Sequence, residues 1–298
     1  MRIGVDLGGT KIEAIAMGDD GRELFRHRVP TPAGNYAATL KAICDLVSAL
    51  EEKVEQKGSV GVGTPGAISP RTGFIKNSNS IALNGHPLDR DLAALLGRAV
   101  RIENDANCFA LSEAVDGAAR DASVVFGVIL GTGVGAGIVI DQRIIAGSNR
   151  IAGEWGHNPL PWPRAEELPG PQCYCGKSGC IETFLSGPGL AREFGIRSGK
   201  DLSANEIALA ADAGDKDAVA MIETYEDRLA RGLAHVINIL DPDTIVLGGG
   251  LSNIARWYRN VPALIQRYVF SDGVETPIVR ALHGDSSGVR GAAWLWPA

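Results

Sequence analysis

His157 is followed by the run Cys173-Tyr174-Cys175-Gly176-Lys177-Ser178-Gly179-Cys180, which places three thiols within eight residues. Three thiolates and one imidazole form a closed tetrahedral set suited to structural Zn²⁺. Gly176 and Gly179 let the backbone turn between ligands. The alternative is three unrelated reduced thiols. A closed Cys₃His site leaves no coordination position for substrate, so such a metal would shape a loop and do no chemistry itself. Cys44 and Cys108 stand singly in predicted helices and read as core residues.

Glycine-rich turns supply a second kind of chemistry. In Asp6-Leu7-Gly8-Gly9-Thr10-Lys11 the backbone N–H groups can approach phosphate oxygens without a Cβ in the way. Thr10 adds a hydroxyl donor and Lys11 a cation, and Asp6 at the strand end is placed to hold a hydrated Mg²⁺. The spacing is not that of a G-x-x-x-x-G-K-[ST] loop, and a plain hairpin turn is the alternative. Gly131-Thr132-Gly133-Val134-Gly135-Ala136-Gly137 repeats the same physics in the second half of the chain. Two such cradles are what a nucleoside triphosphate lying between two domains would need. Gly248-Gly249-Gly250 follows a predicted strand and offers a flat surface for a nucleoside, or simply a strand-to-helix turn.

Glu103-Asn104-Asp105-Ala106-Asn107 falls where a predicted strand meets a predicted helix. Asp105 can be an N-cap carboxylate, or a general base that takes a hydroxyl proton during phosphoryl transfer. Glu154 and Glu182 flank the cysteine cluster. They can accept hydrogen bonds from sugar hydroxyls, or they can support the metal loop or lie on the surface.

Hydrophobic periodicity supplies the elements that carry these groups. Strands are expected over 2–7, 12–17 and 23–29, a helix over 36–57, a strand over 60–63, a helix over 88–96, a strand over 100–102 and a helix over 104–115. The second half repeats the theme, with strands over 124–130, 135–140 and 143–145, a Pro-rich loop over 159–171, a long helix over 217–240 and a strand over 244–247. Both halves open with a hairpin whose turn is rich in Gly and Thr, a sign of internal duplication.

A length of 298 residues suits two domains. With 45% hydrophobic and 21% charged residues the chain is an ordinary globular one, not a disordered one. The net charge of −6 argues against a nucleic-acid or anionic-membrane partner. Residues 122–140 carry no charge, but Gly127, Gly131, Gly133, Gly135 and Gly137 make this strand, turn, strand and not a membrane span. Met1-Arg2 runs directly into the first strand without a leader, so a cytoplasmic location is expected.

Taken jointly, DLGGTK at 6–11, GTPG at 63–66, ENDAN at 103–107, GTGVGAG at 131–137, GEWGH at 153–157, CYCGKSGCIE at 173–182 and VLGGG at 246–250 resemble the ROK family of bacterial sugar kinases. The resemblance implies an α/β, two-domain actin-like (ribonuclease-H-like) ATPase fold, each domain a mixed sheet with flanking helices, around an interdomain cleft. One domain would hold residues 1–118 and a C-terminal helix over 287–298, the other residues 119–286. It further implies ATP, Mg²⁺ and structural Zn²⁺ as cofactors, a hexose as acceptor, and a homodimer.

Residue by residue, Asp105 resembles the family's catalytic base. Gly66, Asn79, Asn104, Glu154, His157 and Glu182 resemble its sugar-binding set. His157 would place one ring nitrogen on zinc and the other on a sugar hydroxyl. Asp6, Gly8, Gly9, Thr10, Lys11, Gly131, Thr132, Gly133 and Gly249 resemble the nucleotide and Mg²⁺ contacts, and His157, Cys173, Cys175 and Cys180 the zinc ligands. Within the family, GEWGHNPLPWP at 153–163, CYCGKSGCIETF at 173–184 and GDSSGVRGAAWLWP at 284–297 look like the fructokinase (mannofructokinase) type, which makes D-fructose the expected acceptor. NDANCFALSEA at 104–114 is shared with the N-acetylglucosamine kinase type, and a glucokinase is a further alternative. A non-catalytic sugar-sensing regulator is the alternative from another class; it would lack the base that Asp105 supplies.

Overall fold

The computed structural model describes residues 1–296. Strands β1 (Arg2–Leu7), β2 (Lys11–Met17) and β3 (Glu23–Pro30) form an antiparallel meander. Helix α1 (Tyr36–Val54) leads to β4 (Ser59–Thr64), a small hairpin of β5 (Ala67–Ile68) and β6 (Ile75–Lys76), helix α2 (Leu88–Leu96), β7 (Val100–Asn104) and α3 (Asp105–Val115). The first sheet has the order β3-β2-β1-β4-β7, with β1, β4 and β7 parallel. Helix α1 stops short of the expected residue 57, because Glu55 takes the left-handed conformation (φ 56°).

Strands β8 (Val124–Leu130), β9 (Val134–Ile140) and β10 (Arg143–Ile144) come next, then helices α4 (Ile181–Leu185), α5 (Gly187–Ser198), α6 (Ala204–Asp212) and α7 (Lys216–Leu240). Strand β11 (Thr244–Gly248), helix α8 (Arg256–Ile265), β12 (Ile278–Arg280) and α9 (Ser287–Trp294) complete the chain. The second sheet has the order β10-β9-β8-β11-β12, with β8, β11 and β12 parallel and β10 antiparallel to β9. Both sheets are thus mixed, as the sequence leads one to expect. Of the expected C-terminal helix, Ser287–Trp294 is helical and residues 297–298 lie outside the described residues.

The chain divides into two compact units. One holds residues 1–121, 137–153 and 282–298, the other residues 122–136 and 154–281. In the first unit, strand alternation sorts the residues of β1 by face. Ile3, Val5 and Leu7 pack with Ile43, Val47 and Leu50 of α1 in the main core. Gly4 and Asp6 face the other way, toward α9. A Cβ on Gly4 would lie 2.0 Å from the Val289 carbonyl oxygen, and one on Gly61 would lie 1.9 Å from that of Ala292. The missing side chains let α9 lie directly on the sheet. Ile15 and Met17 of β2 meet Val289 and Ala293 on the same side.

In the second unit α7 is the central helix. Its Tyr225 is fully buried, stacks on Trp257 of α8 at 4.7 Å between centroids, and donates its hydroxyl to the Leu185 carbonyl at the end of α4 (2.8 Å).

Candidate active site and metal centre

In the first unit, the candidate residues cluster at the C-terminal ends of β1, β4 and β7. Asp105 opens α3, but it is Asn104 that caps the helix: its Oδ1 accepts from the backbone N–H of Ala106 (2.9 Å) and of Asn107 (3.3 Å). The Asp105 carboxylate also accepts from the Ala106 N–H (2.8 Å), within the positive N-terminal turn. The Asn104 amide donates to the Gly66 carbonyl (3.2 Å). Gly66 has φ 79°, and a Cβ there would lie 2.4 Å from the Lys76 carbonyl oxygen, so only glycine fits this approach.

Asn104 is held on its other side by Glu103, whose carboxylate accepts from the Asn104 N–H (2.9 Å) and pairs with Arg150 (2.9 Å). Glu103 and Arg150 have no place in the expected set; a strand-end carboxylate gives no sequence signal for a partner 47 residues away. Asn79 is exposed on a loop fixed by Asn84, which bonds both the N–H and the carbonyl of Ser78 (3.0 and 2.8 Å).

Asp6 is the penultimate residue of β1, in register with Glu13 of β2 and Gly63 of β4. Burial first, then the charges of Asp105 and Glu13, push its carboxyl up to about 7. Such a crowd of carboxylates is a place a cation would relieve, which suits Asp6 to a hydrated Mg²⁺. The Gly8-Gly9 turn is closed by the Gly8 N–H donating to the Lys11 carbonyl (3.0 Å), and Thr31 braces it with its hydroxyl on the Gly8 carbonyl (2.7 Å). Gly9 and Thr10 are exposed at its tip. Lys11 reaches back to Glu13 (3.8 Å).

In the second unit, the His157 ring and the Cys173, Cys175 and Cys180 sulfurs lie within 4.8 Å of one another. Cys175 and Cys180 sulfurs are 3.6 Å apart, and Cys173 Sγ is 3.6 Å from His157 Nδ1. A tetrahedral zinc with bonds of about 2.3 Å to sulfur holds its sulfurs about 3.8 Å apart. The four donors therefore fit zinc. Burial raises the Cys180 thiol to about 12, reinforced by Cys175 and Cys173, while the backbone N–H of Lys177 lowers Cys175. Zinc would have to displace these protons, as it does in other thiolate sites.

Nδ1 faces the sulfurs, so Nε2 is the outward nitrogen of His157. It lies 2.9 Å from the hydroxyl of Tyr174, a residue the sequence reading left without a role. That hydroxyl is itself pushed up to about 12, by burial first and then by Glu182, Cys173 and Glu154. Glu154 precedes the 3₁₀ turn Trp155–His157.

Glu182, on the first turn of α4, accepts from the Val134 N–H (2.9 Å), and a Cβ on Gly133 would lie 2.8 Å from its Oε2. The cysteine knuckle and the Gly131-Thr132-Gly133 turn are thereby joined by one carboxylate, a link no local motif announces. The turn is closed by the Gly131 N–H on the Gly133 carbonyl (3.0 Å), and Thr132 is exposed. Gly249 has φ 78°, and a Cβ there would lie 2.4 Å from the Leu130 carbonyl oxygen.

A buried ionic cluster fixes the segment that leads into the knuckle. Glu167 accepts from Arg228 (2.8 Å) and Arg231 (2.7 and 2.9 Å), and Arg231 also donates to the carbonyls of Pro161 (3.1 Å) and Trp162 (2.9 Å). Burial acts to raise Glu167, but the bonds from Arg231 and Arg228 outweigh it and hold the carboxyl down at about 2.

The ROK family profile matches residues 2–298. The chain belongs to the ROK family. The N-acetyl-D-glucosamine kinase of Escherichia coli is 43% identical to this ROK protein over 300 residues, covering 99% of each chain. The ROK hexokinase of Thermus thermophilus superposes with a TM-score of 0.87 at 32% identity, over 98% of this chain and 96% of its own. A ROK family glucokinase from Streptomyces griseus, solved with glucose and AMPPNP, gives a TM-score of 0.78 at 28% identity, over 99% and 98%. These likenesses place the fold in the two-domain actin-like α/β class.

Proposed function

We propose that this ROK protein transfers a phosphoryl group from ATP to the C6 hydroxyl of a free hexose, with N-acetyl-D-glucosamine as the preferred acceptor. The observation that carries this reading is the 43% identity, end to end, with N-acetyl-D-glucosamine kinase. Asp105 accepts the proton of the attacking hydroxyl as that oxygen bonds to the γ-phosphorus and the bond from phosphorus to the β–γ bridging oxygen breaks, releasing ADP. Asn104, with Gly66, Asn79, Glu154, His157 and Glu182, binds and orients the sugar; hydrogen-bonding groups that a bound sugar covers reject acceptors that leave them unpaired. Gly8, Gly9, Thr10 and Lys11, with Gly131, Thr132 and Gly133, cradle the phosphates, and Gly249 meets the nucleoside.

Asp6 would hold the donor's Mg²⁺ through water, and the ion would offset phosphate charge. Zinc, held by His157, Cys173, Cys175 and Cys180, would fix the loop and supply no acid or base of its own.

Fructose is the second reading, carried by the stretches 153–163, 173–184 and 284–297 that look like fructokinases. ADP release measured with N-acetylglucosamine, fructose, mannose and glucose separates the two. The highest kcat/KM is expected with N-acetylglucosamine. A preference for fructose favours the second reading, and no turnover with any of the four overturns both.

A further inference from the structure

Tyr174 projects from between two of the candidate zinc ligands, Cys173 and Cys175, and is 79% exposed, yet its hydroxyl is held 2.9 Å from His157 Nε2. The phenol ring stands edge-on to the imidazole, with centroids 5.1 Å apart at 88°. The outward nitrogen of His157, which the proposed function assigns to the sugar, is thus already occupied by one phenolic oxygen.

We propose that Tyr174 is a stand-in for a sugar hydroxyl, holding the Nε2 position of His157 until an entering hexose displaces it. The inference rests on the proposed function. A ring that ligates metal through Nδ1 carries its proton on Nε2, which makes that nitrogen a fixed donor. A phenol oxygen and an alcohol oxygen are equivalent acceptors for it. With Cys173 and Cys175 both placed to hold the metal, zinc would pin the backbone of Tyr174 on either side. Only its side-chain torsions can carry the hydroxyl away, and an exposed side chain makes that rotation without disturbing the fold. The sugar therefore exchanges one hydrogen bond for another at this nitrogen, and binds more weakly than it would if the phenol were missing.

The test is calorimetric titration of N-acetylglucosamine and of fructose into the zinc-loaded full chain without nucleotide, for wild type, Tyr174→Phe and Tyr174→Leu. Both variants lack the hydroxyl, and their zinc content is measured alongside. With zinc content equal to wild type, the Kd of the sugar that wild type binds is expected to fall about two- to tenfold in both, the value of one net hydrogen bond. A Kd that is unchanged or higher in either variant overturns the inference while leaving the kinase reading in place. A wild type that neither binds nor phosphorylates either sugar overturns the kinase reading, and the inference with it.

Discussion

Asp6 and Glu13 stand directly opposite each other on β1 and β2, and Arg28 on β3 is the next residue in the same row. Like charges so placed repel. The arginines bond Glu13: Arg28 at 2.6 and 3.1 Å and Arg26 at 3.0 Å. Asp6, pushed up by burial first and then by the charges of Asp105 and Glu13, stays protonated up to about 7.

This has a consequence for stability. In the unfolded chain an aspartate ionises near 3.8, whereas folded Asp6 holds its proton until about 7. Between these values the folded state binds more protons, so the contribution of this group to stability falls as pH rises and is constant above. Asp6→Asn is expected to stabilise the ligand-free protein at about pH 8 by on the order of 3 kcal/mol, and to do little at about pH 4. Urea denaturation across that range checks this. The same variant is expected to lose most phosphoryl transfer.

Glu167 has the opposite sign. Its carboxyl ionises near 4.5 unfolded and at about 2 folded, so its stabilising effect is fully present above the first value and is lost as pH falls toward the second. Glu167→Gln leaves Arg228 and Arg231 buried without their shared carboxylate, and is expected to cost about 3 kcal/mol. A thermal melt at neutral pH reads the loss, and the difference from wild type is expected to shrink in acid.

Zinc removal tests the knuckle. Chelation is expected to expose the 157–180 loop to proteolysis and to weaken sugar binding by about tenfold or more, and added zinc is expected to restore both. Unchanged sugar affinity in the metal-free protein would count against the structural role.

Much of this arrangement is legible in the sequence. The apolar run broken by Gly8-Gly9 places Asp6 near the end of β1, helical periodicity marks α1 and α7, and the sequence pattern of His157, Cys173, Cys175 and Cys180 marks the candidate metal donors that the fold brings together. The misses have local causes. Helix α5 opens Gly187-Pro188-Gly189 and reads as a loop, although Ser186 caps it and Pro188 sits in its first turn. Pro262 hides α8 in the same way. Helix α6 did carry a signal, the capping box of Ser203 and Glu206.

At the site, Asp105 can be read as a cap, but its neighbour Asn104 takes that role. The Glu182–Val134 bond, the Glu103–Arg150 pair and the Tyr174 hydroxyl on His157 depend on long-range placement, and no motif encodes them.

The central claim is that Asp105 takes the proton of a hexose hydroxyl. Asp105→Asn keeps the side chain's size and its hydrogen bond at the head of α3 but removes the base. With N-acetylglucosamine and ATP, kcat is expected to drop about 10²- to 10⁴-fold while the Kd for the sugar stays within about threefold of wild type. Turnover near the wild-type rate in this variant would contradict the account.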